Sequence, residues 1–177
     1  YVLIIGCSNV ADSYLFSRLL EENIQEYQYS LVFASEVLLE IIVLILSTKF
    51  LKEKNYVIFL KISVIILCLR SILLSLNLPL PFLIGFACLR GIGWGGFLSV
   101  HILILRKIVS NKLITKAITL LTIALSLVNG LMTLFGTKIY SFLGINNFYL
   151  LLGGIQLIGV IIILIMKFNF KEDCIVK

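Results

Sequence analysis

Charged residues are scarce in this sequence. They make up 14% of its 177 residues, whereas an ordinary soluble domain contains about 25%. Hydrophobic residues account for 60%, and the mean hydropathy is +1.13. A chain of this length has too small an interior to bury so much apolar surface away from water. The composition therefore excludes a soluble domain and indicates a protein that is solvated largely by lipid.

The residue types that carry most enzyme and cofactor chemistry are also sparse. His101 is the only histidine, and the four cysteines form no C-x-x-C pair and have no metal-ligand spacing. Gly91, Gly93 and Gly96 formally spell G-x-G-x-x-G, but they lie inside an apolar run with no strand before them, so they do not indicate a nucleotide site. We expect no enzyme activity, no cofactor and no metal.

Long apolar runs dominate what is present. Six runs are each long enough to cross about 30 Å of hydrocarbon at about 1.5 Å per residue. They are Tyr1–Leu20, Tyr29–Phe50, Tyr56–Leu76, Leu80–Leu105, Ile114–Tyr140 and Phe148–Phe168. The sequence thus predicts an all-α polytopic membrane protein with six transmembrane helices. Because the chain is apolar from Tyr1 onwards and has no initiator Met, we interpret its start as a truncation.

The loops between the runs alternate in charge. Acidic residues fill the first loop, whereas basic residues predominate in the second loop, the fourth loop and the C-terminal tail. The basic residues are Lys49, Lys52 and Lys54, then Arg106, Lys107 and Lys112, then Lys167, Lys171 and Lys177. The positive-inside rule places these three regions in the cytoplasm. The many Ile, Leu, Lys and Asn residues hint at an AT-rich bacterial genome, so we expect the inner membrane of a bacterial cell. This placement accounts for the net charge of +6 without nucleic-acid binding.

Glu36, Glu40, Arg70 and Arg90 lie deep inside the second, third and fourth apolar runs. From the ends of the runs, Glu36 and Arg70 lie roughly 10 Å deep, and Glu40 and Arg90 lie roughly 15 Å deep. The matched depths predict two ion pairs, Glu36 with Arg70 and Glu40 with Arg90. Charges inside a span are costly and usually functional, so we expect a polar cavity that binds solute or relays protons. The alternative is a pair of structural ion pairs, although buried ion pairs are poor stabilisers.

Other polar and small residues accompany these charges. Asp12, in N-V-A-D-S-Y, either joins them or lies at a wet cavity mouth or helix end. Trp94, four residues after Arg90, either stacks on a bound ring or on the guanidinium, or is a lipid-facing or packing aromatic. Gly91 and Gly95 are small residues four apart, a spacing that predicts close approach of a second helix.

Three segments resemble helices of known transporters. S-E-V-L-L-E and the basic segment after it resemble the eighth helix of the lactose and phenylpropionate permeases, with Glu36 at a buried glutamate. C-L-R-S-I-L places Arg70 at the arginine of the ninth helix. L-R-G-I-G-W-G-G-F is similar to the tenth-helix segment L-H-G-x-T-F-G, but Arg90 replaces the histidine, and Gly93 stands where lactose permease has a proton-handling glutamate. The chain as a whole resembles the C-terminal half of a major facilitator superfamily transporter.

That resemblance implies a fold and a function. Residues 1–177 would form a six-helix bundle, half of the superfamily fold, that rocks in the lipid bilayer against an absent N-terminal half. The implied function is secondary active transport of a small polar or organic-acid solute by alternating access, coupled to protons. Glu36 and Arg70 would bind solute or proton. Separately from the resemblance, we infer that Glu40 is a candidate replacement for the carboxylate missing at Gly93. The competing interpretation is a non-transport membrane scaffold or assembly protein whose buried charges are structural.

Overall fold

The computed structural model describes residues 2–51 and 55–166, and the regular elements within those ranges are all helical. The α-helices, in chain order, are α1 (Val2–Ser13), α2 (Leu15–Leu20), α3 (Glu26–Phe50), α4 (Tyr56–Leu74), α5 (Leu80–Ile108), α6 (Ile114–Leu143) and α7 (Ile145–Ile165). A short 3₁₀ turn precedes α6. Tyr1, the loop lysines Lys52 and Lys54, and the tail from residue 167 onwards lie outside the described residues.

Five helices, α3 to α7, are long and apolar enough to cross a membrane. Helices α4, α5 and α6 begin at the predicted residues, and the other bounds of α3 to α6 lie within three residues of the predicted ones. Helix α7 begins at Ile145, directly after Gly144, whose φ of +75° suits a residue without a side chain. The predicted end of that run, Phe168, lies outside the described residues.

The first apolar run is not one continuous helix. Helix α1 ends at Ser13 and α2 begins at Leu15, because Tyr14 leaves the helical conformation with φ −103° and ψ 3°. With 12 residues, α1 rises about 18 Å, less than the hydrocarbon thickness. Ser13 donates its hydroxyl to the carbonyl of Asn9, a bond that bends helices. Of the six continuous transmembrane helices that we expected, five are therefore present in the described part of the chain.

Helices α4, α5 and α7 form the centre of the bundle. At one end, the last turns of α4 and the first turns of α5 and α7 pack with α2 and the end of α1, around residues such as Leu74 and Phe148. At the other end, the start of α1 packs on the remaining parts of the same three helices, around residues such as Phe97. Helices α3 and α6 lie outermost and expose apolar side chains, for example Leu31 and Leu120. Such surfaces are suited to lipid or to another helical bundle.

Glycines bring α5 directly against α3. A Cβ atom on Gly91 would overlap the carbonyl oxygen of Glu36, and one on Gly95 would lie 2.9 Å from the carbonyl oxygen of Glu40. The close approach predicted from the spacing of Gly91 and Gly95 is confirmed. Because the obstructing atoms belong to the α3 backbone, no side-chain rotation can make room for a methyl group.

We expect Gly91→Ala to destabilise the bundle by about 1–3 kcal/mol, the usual range for overpacking. Gly85→Ala is the matched control, because Gly85 also lies within α5 and a Cβ atom there meets nothing within 4 Å. Thermal unfolding of both purified variants in detergent measures the difference. Equal unfolding temperatures for the two variants would show that α3 and α5 do not approach as described.

Candidate functional site

Four charged side chains from four helices meet inside the bundle. Asp12 of α1 accepts a hydrogen bond from Nη1 of Arg70 (α4) at 2.6 Å through Oδ1, and one from Nε of Arg90 (α5) at 2.5 Å through Oδ2. Glu36 of α3 also bridges both guanidiniums, with Oε1 3.7 Å from Arg70 Nη2 and Oε2 3.7 Å from Arg90 Nη1. We call these four residues the charge quartet. Its two negative and two positive charges balance.

The quartet is closed on one side and open on the other. The side chains of Arg70 and Glu36 are 0% and 2% exposed, whereas those of Arg90 and Asp12 are 17% and 22% exposed. Arg70 is held from behind, since its Nε donates to the carbonyl of Ala87 at 3.2 Å. A molecule approaching from the open side would therefore meet Arg90 and Asp12 first.

The two carboxylates are engaged to very different degrees. Asp12 uses both oxygens in short, charge-assisted hydrogen bonds. Glu36 is within ion-pair distance of both arginines but too far for hydrogen bonds, and within the described chain its buried Oε1 and the buried Nη2 of Arg70 have no hydrogen-bond partner. A buried polar atom without a partner is costly and calls for an explanation in a native structure. Glu36 thus retains the capacity to take up a proton or to accept a bond while Asp12 holds the arginines.

The backbone beside Asp12 is fixed by a long-range contact. Tyr149 of α7 is fully buried, and its hydroxyl donates to the carbonyl of Ala11 at 2.6 Å. This bond ties the last turn of α1 to the core and sets the position of the neighbouring Asp12. The sequence gives no signal for this role, since Tyr149 lies in a run of apolar residues like many others.

Of the two ion pairs predicted from depth, one is present and the other is not. Glu36 and Arg70 are paired, but the pairing of Glu40 with Arg90 was wrong: Arg90 pairs with Asp12 and Glu36, and Glu40 has no ion pair within the described ranges. Depth along a helix does not specify its rotation. At Gly95, α5 lies directly against the backbone of Glu40 on α3. The guanidinium of Arg90 extends to Asp12 instead of to the Glu40 side chain.

Two of the alternatives for Trp94 are present together: contact with the guanidinium of Arg90 and packing against another aromatic ring. Arg90 Cζ lies 5.8 Å from the centroid of the Trp94 ring, within the range of a cation–π contact. Trp94 in turn stacks on Phe97, with centroids 5.9 Å apart. The indole therefore supports the guanidinium from within α5 and leaves it turned toward Asp12.

Arg18 is a buried cation that the sequence analysis missed. It is 1% exposed, and it donates from Nε to the carbonyl of Leu74 at 3.0 Å and from Nη2 to that of Leu76 at 2.9 Å. Leu74 is the last residue of α4, where carbonyls lack helical partners, and Leu76 lies two residues beyond the helix and also accepts a bond from the N–H of Leu78. Glu22, 3.5 Å from Arg18 Nη1, supplies a counter-charge. The i, i+4 spacing of Arg18 and Glu22 is the signal in the sequence that could have indicated this ion pair.

The fold and the quartet define an all-helical protein, embedded in a membrane by several apolar helices, that carries a balanced cluster of charges in its interior. Comparison with protein-family models finds no match, and neither the curated proteins nor the solved structures include a significant match.

Proposed function

We propose that this chain is one helical bundle of a secondary transporter and that the charge quartet is its solute- and proton-binding site. The observation that carries the proposal is the combination of a balanced quartet with an incompletely bonded Glu36. A site built only to hold helices together would use both carboxylates fully. Here one carboxylate fastens the arginines, and the other retains bonding capacity.

The cost of placing charges in a membrane supports a functional role. Each unpaired charge at the centre of a span costs about 2.5–3.5 kcal/mol on insertion scales, and buried ion pairs are on balance poor stabilisers. The open side of the quartet, formed by Arg90 and Asp12, is incompatible with lipid tails and requires water or protein. A second bundle that closes over this side would create a polar cavity between two bundles. The sequence also resembles the six-helix C-terminal half of a major facilitator superfamily transporter. That resemblance supports a polar cavity between two bundles.

The proposed mechanism is alternating access, in which the two bundles rock about the solute site. A carboxylate or hydroxyl of the solute binds Arg90 on the open side in competition with Asp12. Glu36 takes up the coupled proton, since its oxygens are not committed to short hydrogen bonds. The solute is accordingly a small polar molecule or organic acid. Basic residues in the last turns of α3 and α5 support a cytoplasmic location for these helix ends, in the inner membrane of a bacterial cell as we propose.

One observation favours the scaffold alternative. The quartet is electrically neutral, and three of its members make hydrogen bonds that join different helices. Such a cluster could fix the register of α1, α4 and α5 without binding anything. The two functions differ in their response to solute, because a scaffold has no reason to recognise one.

The test uses the full transporter, with this bundle and its partner bundle, in de-energised cells in weakly buffered medium. Sugars and organic acids are added singly, and the external pH is recorded. We expect one chemical class to produce rapid alkalinisation, because protons enter with the solute, and Glu36→Gln to abolish the signal. Solute entry without alkalinisation would refute proton coupling. The absence of entry for every class, in a well-folded protein, would favour the scaffold.

A further inference from the structure

The charge quartet balances its own charges. Asp12 lies 2.6 Å from a nitrogen of Arg70 and 2.5 Å from one of Arg90, and Glu36 lies 3.7 Å from each guanidinium. Among the described residues, the ion pairs of these four side chains are all made within the quartet. The empty site therefore holds two negative and two positive charges and is neutral as a unit.

The other ionisable groups around the quartet leave this balance unchanged. Tyr29 of α3 and Tyr149 of α7 lie within electrostatic range, and both phenols are neutral near pH 7. Arg18 is paired with acidic residues of its own segment. Glu40, one turn from Glu36 on α3, makes no ion pair with either arginine within the described ranges. Binding thus changes the charge of the quartet only through the solute and through protons that the quartet takes up.

The interior of a membrane penalises any change in this net charge. A charge without a counter-charge is costly at this depth, and a buried ion pair that loses one partner leaves such a charge behind. Alternating access encloses the solute site between the two bundles near the middle of the membrane. The loaded quartet must therefore be as neutral as the empty one.

The two arginines offer donors for an anionic group. Arg90 is 17% exposed on the open side, where its Nε binds Asp12 and its Nη1 lies 3.7 Å from Glu36. The buried Nη2 of Arg70 has no hydrogen-bond partner within the described chain. Guanidiniums bind carboxylates through two parallel N–H···O bonds. A carboxylate of the solute is the anionic group that these donors match.

One carboxylate of the quartet has the capacity to take up a proton in exchange. Both oxygens of Asp12 accept short hydrogen bonds, whereas the buried Oε1 of Glu36 accepts none from the described residues. A solute monoanion adds one negative charge, and a proton on Glu36 removes one. A neutral solute bound with that proton would leave one positive charge, and a dianion would leave one negative charge. A monoanion with one proton keeps the quartet neutral.

We propose, on the basis of the transport function given above, that the quartet selects an organic monoanion and binds it together with one proton on Glu36. The anion and its proton then cross the membrane without net charge. Neutral sugars are excluded, because the proton bound with them would leave an uncompensated positive charge. Dicarboxylates are excluded by a second negative charge that Glu36 cannot neutralise.

The test uses the full transporter, with this bundle and its partner bundle, in liposomes. The compound that causes alkalinisation in cells is supplied in labelled form, and protein-free liposomes correct for diffusion of the undissociated acid. A pH difference of about one unit, alkaline inside, should accumulate a monoanion about tenfold, because one proton enters with each anion. A membrane potential of about 100 mV should leave accumulation unchanged, whereas one net charge moving with the solute would change it roughly 50-fold.

Variants separate the proton from the anion. Binding of acetate, a minimal monocarboxylate, is followed by the fluorescence of Trp94, since Arg90 Cζ lies 5.8 Å from that ring, and Trp94→Phe identifies its signal. The affinity of the unmodified transporter should fall about tenfold per pH unit on the alkaline side, because binding requires a proton. Glu36→Gln carries one positive charge when empty and should bind acetate with an affinity independent of pH. The matched control is Glu26→Gln, an exposed carboxylate at the start of α3, which should behave like the unmodified protein.

The outcomes distinguish this proposal from the transport function on which it rests. A roughly 50-fold response to the potential, or alkalinisation by a neutral sugar or a dicarboxylate, would overturn the charge balance and leave the transporter in place. A pH-dependent affinity for acetate that persists in Glu36→Gln would also overturn it, since another group would then hold the proton. If no compound enters, the transport function fails, and the selection of monoanions fails with it.

Discussion

Asp12→Asn should be the most destabilising single substitution in the charge quartet. The change removes the carboxylate that binds Arg70 and Arg90 at 2.6 and 2.5 Å and leaves two guanidiniums with Glu36 as their only counter-charge among the described residues. Removing one partner of a buried ion pair typically costs about 3–5 kcal/mol, because an uncompensated charge remains. We expect the unfolding temperature in detergent to fall by roughly 10 °C.

The matched control for this substitution is Glu40→Gln. Glu40 is a carboxylate in the same bundle, and within the described chain it takes part in no ion pair, so its neutralisation should change the unfolding temperature little. Equal stability of Asp12→Asn and Glu40→Gln would mean that Asp12 does not hold the two arginines in the folded protein.

Glu36→Gln should destabilise the protein less than Asp12→Asn and should have a large effect on transport. Both changes leave one uncompensated positive charge, but within the described chain Glu36 lies 3.7 Å from both arginines and makes no short hydrogen bond, so a glutamine of the same shape removes less bonding than the loss of Asp12. The glutamine cannot take up a proton. We expect a folded protein in normal amounts whose proton-coupled uptake is reduced about 100-fold, equivalent to about 2.8 kcal/mol.

Arg70→Gln separates the two interpretations of Glu36. In a scaffold, Glu36→Gln would impair folding, and adding Arg70→Gln would rescue it by restoring charge balance. In a transporter, the double variant remains inactive, because the binding groups are gone. Folded yield by size-exclusion chromatography and uptake in cells are measured on the same set of variants, with Glu40→Gln again as the control on α3.

The sequence predicted the features that depend on position along a helix. The apolar runs gave the bounds of α3 to α6 to within three residues, because the need to cross hydrocarbon determines length. The spacing of Gly91 and Gly95 identified the close contact between α3 and α5. The pairing of Glu36 with Arg70 followed from depth alone.

Features that depend on rotation and on distant contacts were not predictable in this way. The choice of Asp12 over Glu40 as the partner of Arg90 depends on how α1 and α3 are turned about their axes. No proline or glycine beside Tyr14 predicts the break between α1 and α2. The burial of Arg18 depends on the end of α4, 56 residues away along the chain. A single sequence carries no information on such contacts.

The central claim is that the charge quartet is a binding site and not a structural ion-pair cluster. The unfolding temperature of the charge-balanced double variant Asp12→Asn/Arg90→Gln tests this claim most directly. The variant removes one charge of each sign and needs no knowledge of the solute. Since neutral replacements of buried ion pairs are often without effect or stabilising, a binding site predicts an unfolding temperature equal to or above that of the unmodified protein. A fall of roughly 10 °C, as large as that expected for Asp12→Asn alone, would contradict the account and identify the quartet as a structural brace.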